Sequence, residues 1–242
     1  MTCNPKAEAA RGALDLLSRV SSGGVLGLGT GSTLMEFLRL SSGEIASMFE
    51  GFVPSSVETA VEASRMGLQV LDPRVNRGVD VYVDGADEVT LDKGDMIKGG
   101  GGALLGEKIL AAASSLNVFI VGEDKVVEAL GARTPVPVEV EPGFLGVVVG
   151  MLESMGMNPE PRRGGGKRGF VVSDWGGVIV DLRVGVLEDP WGLEARVGSV
   201  PGVRATGLFL GMADYIVVGL RECGYRVVRV ERREARTWGA RA

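Results

Sequence analysis

The chain has 242 residues, of which 45% are hydrophobic and 24% are charged, and its formal net charge is −5. This composition excludes a disordered chain and leaves room for one large or two unequal domains. The negative charge argues against a globally basic nucleic-acid binder. Because the chain has no histidine, sites of the Ser-His-Asp, Cys-His and histidine-zinc types are excluded. Acid–base chemistry must therefore use carboxylates, lysine or tyrosine.

Two cysteines, Cys3 and Cys223, are too few for a disulfide framework or a zinc site made of cysteines. We expect both to be free thiols in a cytoplasmic protein. The apolar runs fall short of the roughly 18 residues that a membrane-spanning helix needs, and the N-terminus lacks the apolar segment of a signal peptide. The sequence therefore predicts no membrane association.

The first half of the chain alternates between strand and helix patterns. Apolar residues at three- and four-residue spacing predict a helix over 6–20, and a short apolar strand over 24–28 leads through a glycine-rich turn into a second helix. The later elements are predicted at 52–53 (strand), 57–64 (helix), 79–83 (strand), 103–115 (helix) and 118–121 (strand). Such alternation predicts a mostly parallel sheet with both faces covered.

A proline-rich segment at 134–137 separates this part from a second pattern. We predict a small α+β domain with strand 136–140, helix 144–155, a basic glycine-rich loop at 162–168, a hairpin of strands 170–172 and 178–180, and helix 191–200. Strands at 207–210 and 215–218 are expected to return to the main sheet. The predicted fold is thus an α/β protein, with a Rossmann-like domain (1–132 plus 205–225) and a smaller inserted α+β domain (133–204).

The remaining segment, 226–242, is predicted to be a basic C-terminal extension. From residue 221 onward the chain holds seven arginines and three glutamates. We interpret it as a solvated extension or a short strand at the edge of an oligomer, with contact to nucleic acid or a membrane surface as the alternative.

The turn Gly29-Thr30-Gly31-Ser32-Thr33 lies between a predicted strand and a predicted helix. Backbone N–H groups, the positive end of the helix dipole and three hydroxyl groups would meet there, which is typical of an anion site. The alternative is an ordinary turn in which Ser or Thr caps the helix. The turn lacks the third glycine of a dinucleotide-binding motif, and the chain has no nucleotide P-loop.

Two acidic residues bracket the turn Asp84-Gly85-Ala86-Asp87 at the carboxyl end of a predicted strand, the edge where open α/β sheets bind ligands. Two carboxylates on one turn suit proton transfer or the binding of hydroxyl groups. The alternative is a solvated turn in which aspartate binds the backbone.

Lys98 precedes four consecutive glycines, Gly99 to Gly102. Ordering four glycines is entropically costly, and their backbone can approach a ligand closely. Glu107 follows in the first turns of the next helix, where an exposed surface charge is the alternative interpretation. Lys125 also follows a strand, and both lysines could bind a phosphate or a developing alkoxide.

Together these motifs resemble those of ribose-5-phosphate isomerase of the A type. The resemblance rests on the runs 27–33 (GLGTGST), 81–88 (VYVDGADE) and 96–101 (MIKGGG), followed by Glu107-Lys108 and Lys125, and it extends in order to about residue 219. It implies interconversion of D-ribose 5-phosphate and D-ribulose 5-phosphate without a metal or cofactor, by a homodimer or homotetramer.

The resemblance also implies a role for each motif. Glu107 would be the base that moves a proton between C2 and C1, and Lys98 and the glycine amides would stabilise an enediolate. Asp84 and Asp87 would handle hydroxyl protons and assist ring opening. The substrate-binding residues would be Thr30, Gly31, Ser32, Thr33, Asp84, Gly85, Ala86, Asp87, Lys98, Gly99, Gly100, Gly101 and Lys125. The rival functions are an amino-sugar phosphate deaminase, a coenzyme A transferase and a non-catalytic sugar-phosphate sensor.

Overall fold

The computed structural model describes residues 2–166 and 168–231. Most of the predicted basic extension, residues 232–242, lies outside this part of the chain. The helices are α1 (Pro5–Val20), α2 (Ser32–Met48), α3 (Val57–Arg65), α4 (Leu104–Ala113), α5 (Leu145–Ser154) and α6 (Pro190–Gly198). The strands are β1 (Val25–Leu28), β2 (Gly51–Pro54), β3 (Val79–Asp84), β4 (Glu88–Val89), β5 (Met96–Ile97), β6 (Ser114–Gly122), β7 (Val136–Val140), β8 (Pro159–Pro161), β9 (Val178–Leu182), β10 (Val203–Thr206), β11 (Leu208–Phe209), β12 (Tyr215–Gly219) and β13 (Tyr225–Arg229).

The main sheet has six strands in the order β13-β12-β6-β3-β1-β2. All its pairings are parallel except that of β13 with β12, which confirms the predicted mostly parallel α/β sheet. On one face α1, α2 and α3 pack against the strands, with Leu17, Phe37 and Ala63 in a shared core. On the other face lie α4 and a small sheet of β11, β5 and β4. Burial of both faces explains why the central strands are apolar throughout.

The inserted part forms a four-stranded antiparallel sheet in the order β10-β7-β9-β8, covered by α5 and α6. Strand β7 has the predicted bounds, and α6 begins with Asp189 accepting a hydrogen bond from the Gly192 amide and with a proline at its first position. Residue Glu139 of β7 is fully buried and accepts a hydrogen bond from the Ser173 hydroxyl. The apolar residues of this sheet and its helices form a core to which Ile97 of β5 and Leu208 of β11 also contribute.

Two predicted pairings differ in the structure. The strand expected at 207–210 is the two-residue β11, which pairs with β5 rather than with the main sheet. The hairpin expected at 170–180 is present in a shorter form: Val172 and Val178 make an antiparallel bridge, and the Ser173 amide donates to the Gly177 carbonyl at 2.8 Å, while most of β9 pairs with β7 and β8. The prediction for 207–210 was wrong and the extent of the hairpin was overestimated, because pairing depends on distant segments, whereas the local pattern shows only that a strand can form.

The expectation of free thiols was also wrong. A disulfide joins Cys3, just before α1, to Cys223 in the turn between β12 and β13, and the two residues are 220 positions apart in sequence. The Cys3 amide also donates a hydrogen bond to the Arg221 carbonyl at 2.9 Å. The parallel topology brings the two ends of the described chain together, and cysteine count and spacing do not reveal such proximity. Among the described residues, no helix has the length and apolar character required to span a membrane.

Candidate active site

The loops that follow β1, β3 and β6 meet at the carboxyl edge of the main sheet. The loop after β5, which contains Gly99 to Gly102 and is called the glycine loop below, joins them there. They enclose a cavity of about 330 Å³, a size suited to a small ligand. Its lining residues are Lys6, Thr30, Gly31, Ser32, Thr33, Gly85, Ala86, Asp87, Lys98, Gly99, Gly100, Gly101, Glu107, Asp124 and Lys125. The structure thus brings together every predicted site residue, with Asp84 directly behind the lining.

The loop after β1 leaves the first amides of α2 without a side-chain cap. Gly31 is the N-cap residue, and its φ of 120° is a conformation that favours glycine. No side chain accepts a hydrogen bond at this cap, so the alternative of a Ser or Thr cap was wrong here. The uncapped amides and the helix dipole give this end of the cavity the properties of an anion site.

Thr30 is held in place by a cluster of hydroxyl groups. Its Oγ1 lies 2.7 Å from Ser55 Oγ and 2.7 Å from Ser56 Oγ. Thr59 closes the cluster by donating a hydrogen bond to the Gly29 carbonyl at 2.8 Å. Ser55, Ser56 and Thr59 are all buried. The turn after β2 therefore fixes the loop that carries Thr30.

A buried ionic group forms the floor of the cavity. Lys98 Nζ lies 2.6 Å from Asp84 Oδ2 and 3.3 Å from Glu107 Oε2, and it donates a hydrogen bond to the Gly85 carbonyl at 2.6 Å. The side chains of all three charged residues are no more than 3% exposed. Although Glu107 Oε2 is within ion-pairing distance of Lys98, it accepts no hydrogen bond. Glu107 also lines the cavity, so its carboxyl group lies next to a bound ligand. The alternative of Glu107 as an exposed surface charge was wrong.

Burial and charge shift the pKa values of this group. Burial and the negative charge of Asp84 raise the pKa of Glu107 to about 8, against the opposing effect of the Lys98 ammonium. Burial acts to lower the pKa of Lys98, but the charges of Asp84 and Glu107 outweigh it and raise that pKa above its usual value. Lys98 is therefore a fixed cation, while Glu107 exchanges a proton near neutral pH, as general acid–base catalysis requires.

Asp84 is fully buried and does not line the cavity. Its Oδ2 accepts a hydrogen bond from the Tyr82 hydroxyl at 2.6 Å, and its Oδ1 accepts from the amides of Gly85 at 2.7 Å and Thr30 at 3.2 Å. Burial, followed by the charge of Asp84, raises the pKa of the Tyr82 hydroxyl well above its usual value. Asp84 thus connects two of the site loops and holds the Lys98 ammonium.

Asp87 reaches the glycine loop. Its Oδ2 accepts a hydrogen bond from the Gly100 amide at 2.7 Å. A Cβ on Gly100 would lie 2.7 Å from Asp87 Oδ1, so a larger residue there would displace this carboxylate. Gly99 has a φ of 101° and its carbonyl accepts from the Gly102 amide at 3.0 Å. The glycines therefore form a tight turn that presents backbone to the cavity.

Two lysines stand at the end of the cavity near α2. Lys6 of α1 donates a hydrogen bond to Ser32 Oγ at 2.8 Å, and Lys125 follows β6 with its side chain 39% exposed. Sequence reasoning identified Lys125 but missed Lys6, because α1 precedes the first strand and carries no motif. The N-terminus of α1 packs beside Gly122 and Gly219, at the carboxyl ends of β6 and β12. Asp124 Oδ2 lies 3.9 Å from Lys125 Nζ, so the two lysines and this carboxylate together carry a net positive charge.

A second cavity, of about 470 Å³, lies on the other side of α4. It is lined mostly by apolar residues, and Lys108 there is paired with Glu194 at 2.7 Å. Although it is larger, it lacks the uncapped amides and the buried Lys98–Glu107 pair of the polar cavity, so the polar cavity is the candidate active site. Within the described ranges, no group of three or more acidic or cysteine side chains is arranged to hold a metal ion.

Comparison with known proteins shows the family to which the chain belongs. The model of ribose 5-phosphate isomerase A (phosphoriboisomerase A) matches residues 51–223. A ribose-5-phosphate isomerase A of Aeropyrum pernix is 64% identical over 227 residues, which are 93% of this chain and 95% of the relative.

Solved structures agree. Ribose 5-phosphate isomerase A from Methanocaldococcus jannaschii matches with a TM-score of 0.84 and 34% identity, over 93% of this chain and 97% of the other. A D-ribose-5-phosphate isomerase in complex with phospho-erythronic acid matches with a TM-score of 0.83 and 33% identity, over 94% of this chain and all of the other. The chain therefore belongs to the ribose 5-phosphate isomerase A family.

Proposed function

We propose that this chain interconverts D-ribose 5-phosphate and D-ribulose 5-phosphate by proton transfer between C2 and C1. One observation carries the proposal: the buried Glu107 carboxylate, with an oxygen that accepts no hydrogen bond, lines a cavity whose other end holds Lys6 and Lys125. The activity for which the family is named and the phospho-erythronic acid complex of a structural relative support the same substrate class.

In this proposal Glu107 removes the proton from C2 of the open-chain aldose, and the electron pair forms the C1–C2 double bond of an enediolate. A proton moves from O2 to O1 or the reverse, and Glu107 returns its proton to C1 to give the ketose. The fixed positive charge of Lys98 and the loop amides stabilise the negative charge that develops on oxygen. The reaction needs no change of oxidation state in the protein and no cofactor.

The phosphate group binds at the other end of the cavity. The amides at the start of α2, the hydroxyls of Ser32 and Thr33, and the ammonium groups of Lys6 and Lys125 supply donors and positive charge there. Holding the phosphate positions C1 and C2 against Glu107, since binding energy from a remote group orients the reacting atoms. Asp87 binds a sugar hydroxyl and assists ring opening, while Asp84 acts from behind by holding Lys98 and the Thr30 amide.

We also propose a cellular location and an oligomeric state. A phosphorylated sugar carries charge that does not cross a bilayer unaided, which supports a cytoplasmic location. A homodimer or homotetramer, as the sequence resemblance implies, is also proposed.

The function is tested by incubating the purified protein with ribose 5-phosphate in the presence of EDTA and assaying ribulose 5-phosphate. We expect conversion that chelation leaves intact, and a rate far lower with ribose, which lacks the phosphate. Activity that EDTA removes and Mg²⁺ or Mn²⁺ restores would contradict the metal-free mechanism. An absence of conversion would contradict the proposed function itself.

A further inference from the structure

Arg162 of the inserted domain contacts the glycine loop of the candidate active site. It follows β8 directly, and its Nη1 donates hydrogen bonds to the Gly99 carbonyl at 2.8 Å and to the Gly100 carbonyl at 2.9 Å. These two glycines line the cavity on the other side. The arginine therefore reaches the active-site backbone from outside the main sheet.

The guanidinium is itself held in one orientation. Its Nε donates to Asp181 Oδ2 at 2.8 Å and its Nη2 donates to Asp181 Oδ1 at 2.5 Å, so the two planar groups form a two-point contact. The side chains of Arg162 and Asp181 are only 18% and 14% exposed. The Arg162 backbone is also fixed, because its amide donates to Ile179 and its carbonyl accepts from Val171, both at 2.8 Å.

These contacts determine where the loop amides point. In a trans peptide the C=O and the following N–H point in opposite directions. When Arg162 binds the carbonyls of Gly99 and Gly100, the amides of Gly100 and Gly101 are directed away from it. The Gly100 amide indeed donates to Asp87 Oδ2 at 2.7 Å. Glycines have many alternative conformations, and the arginine selects one of them.

We propose that Arg162, held by Asp181, is a positioning residue for the isomerase reaction. It orients the Gly100 and Gly101 amides toward Asp87 and toward the oxygen that becomes negatively charged, and it thereby makes the inserted domain part of the catalytic apparatus. This inference rests on the proposed function. It assigns to Arg162 no contact with the substrate.

The test compares Arg162→Met, Arg162→Lys and Asp181→Asn with wild type. We expect Arg162→Met to lower kcat at least about tenfold, since small displacements of catalytic groups have effects of this size or larger. Lysine cannot reproduce a planar fork that binds a carboxylate and two carbonyls together, so Arg162→Lys should recover only part of the rate. Asp181→Asn keeps the size of the partner and should give a smaller loss of kcat.

A matched control comes from the same pair of strands. Arg183 pairs with Glu160 at 2.8 Å, but both side chains are about 60% exposed and contact no site loop. Arg183→Met should keep wild-type kcat and KM. If it loses activity as Arg162→Met does, the effect belongs to the stability of the inserted domain rather than to the loop.

Two inhibitors separate positioning from general structural damage. Inorganic phosphate probes only the phosphate end, whereas phospho-erythronic acid also places a carboxylate at the position of the reacting carbons. Arg162→Met should weaken inhibition by phospho-erythronic acid about tenfold and leave inhibition by phosphate within about twofold of wild type. Equal weakening of both inhibitors, or an unchanged kcat, would overturn the inference.

Failure of the inference about Arg162 and failure of the proposed function give different experimental results. If wild type is active and Arg162→Met retains its kcat, only the inference about Arg162 fails. If wild type does not convert ribose 5-phosphate, the proposed function fails. Calorimetric binding of phospho-erythronic acid to wild type and to Arg162→Met then still tests the positioning role, and equal affinities would refute it.

Discussion

Glu107 Oε2 lies 3.3 Å from Lys98 Nζ in a site where both side chains are 3% exposed, and it accepts no hydrogen bond there. Two other partners of the ammonium, Asp84 Oδ2 and the Gly85 carbonyl, lie closer to it, each at 2.6 Å. The Lys98 ammonium thus lies within ion-pairing distance of the Glu107 carboxylate without donating a hydrogen bond to its Oε2. This arrangement lets one group carry a proton while its neighbour keeps a constant charge.

The pH dependence of the reaction follows from this pair. Since burial and the charge of Asp84 raise the pKa of Glu107 to about 8, the base is protonated and inactive below that pH. We expect kcat/KM to rise with pH and to level off above about pH 8. Asp84→Asn removes the neighbouring negative charge and should move this rise to lower pH. A profile that moves to higher pH in Asp84→Asn would contradict the assignment.

The same shift predicts an effect on stability. A carboxyl whose pKa is higher in the folded state than in the unfolded chain binds more protons when folded, so its contribution to the free energy of unfolding falls as pH rises between the two values. For Glu107 the interval runs from 4.5 to about 8. Glu107→Gln, which stays neutral, should therefore gain in Tm relative to wild type across this interval. Thermal unfolding of both proteins at pH 5 and pH 8 measures this difference in Tm. A difference in Tm that is the same at both pH values would refute the raised pKa of Glu107.

We expect Lys6 and Lys125 to contribute to substrate binding and Lys98 to contribute to the chemical step. Lys6→Ala and Lys125→Ala remove charges at the phosphate end and should raise KM and weaken inhibition by inorganic phosphate, with smaller effects on kcat. Lys98→Met removes the cation next to the reacting atoms and should lower kcat by roughly 10²-fold or more. Lys93→Ala, an exposed lysine outside the cavity, is the matched control. Equal losses of kcat alone in all three site variants would show that these roles are wrong.

The disulfide should contribute to stability. By closing a loop with a sequence separation of 220, it restricts the unfolded chain, an effect worth about 2–4 kcal/mol in the free energy of unfolding. Cys223→Ser should lower Tm, and so should a reducing agent acting on wild type. The double variant with Cys3→Ser should be no less stable than Cys223→Ser alone. If reduction leaves Tm unchanged, the bond is not a stabilising link.

Local sequence patterns predicted those parts of the fold and site that depend on neighbouring residues. The helical spacing in α1, the β7 strand and the loops after β1 and β3 were all apparent, because periodicity and turn residues act over a few positions. The convergence of these loops could be expected from parallel topology, since the carboxyl ends of parallel strands share one edge.

What the sequence could not show were contacts between distant segments. Lys6 reaches Ser32 across 26 positions, and Arg162 reaches Gly99 across 63. The pairing of β11 with β5 and the Cys3 disulfide are of the same kind. Lys6, Arg162 and Cys3 lie outside every motif, and their partners are determined by how the layers pack rather than by local propensity.

The most direct test of the central claim is the steady-state kinetics of Glu107→Gln with ribose 5-phosphate. Glutamine keeps the size of the side chain but cannot accept the C2 proton, and no histidine is present to replace it. Glu62→Gln on α3, which pairs with Arg65 away from the cavity, is the control for the substitution itself. The account predicts that Glu107→Gln lowers kcat by at least about 10²-fold while KM stays within several-fold of wild type. Near-normal turnover by Glu107→Gln would contradict it and assign the base to another residue.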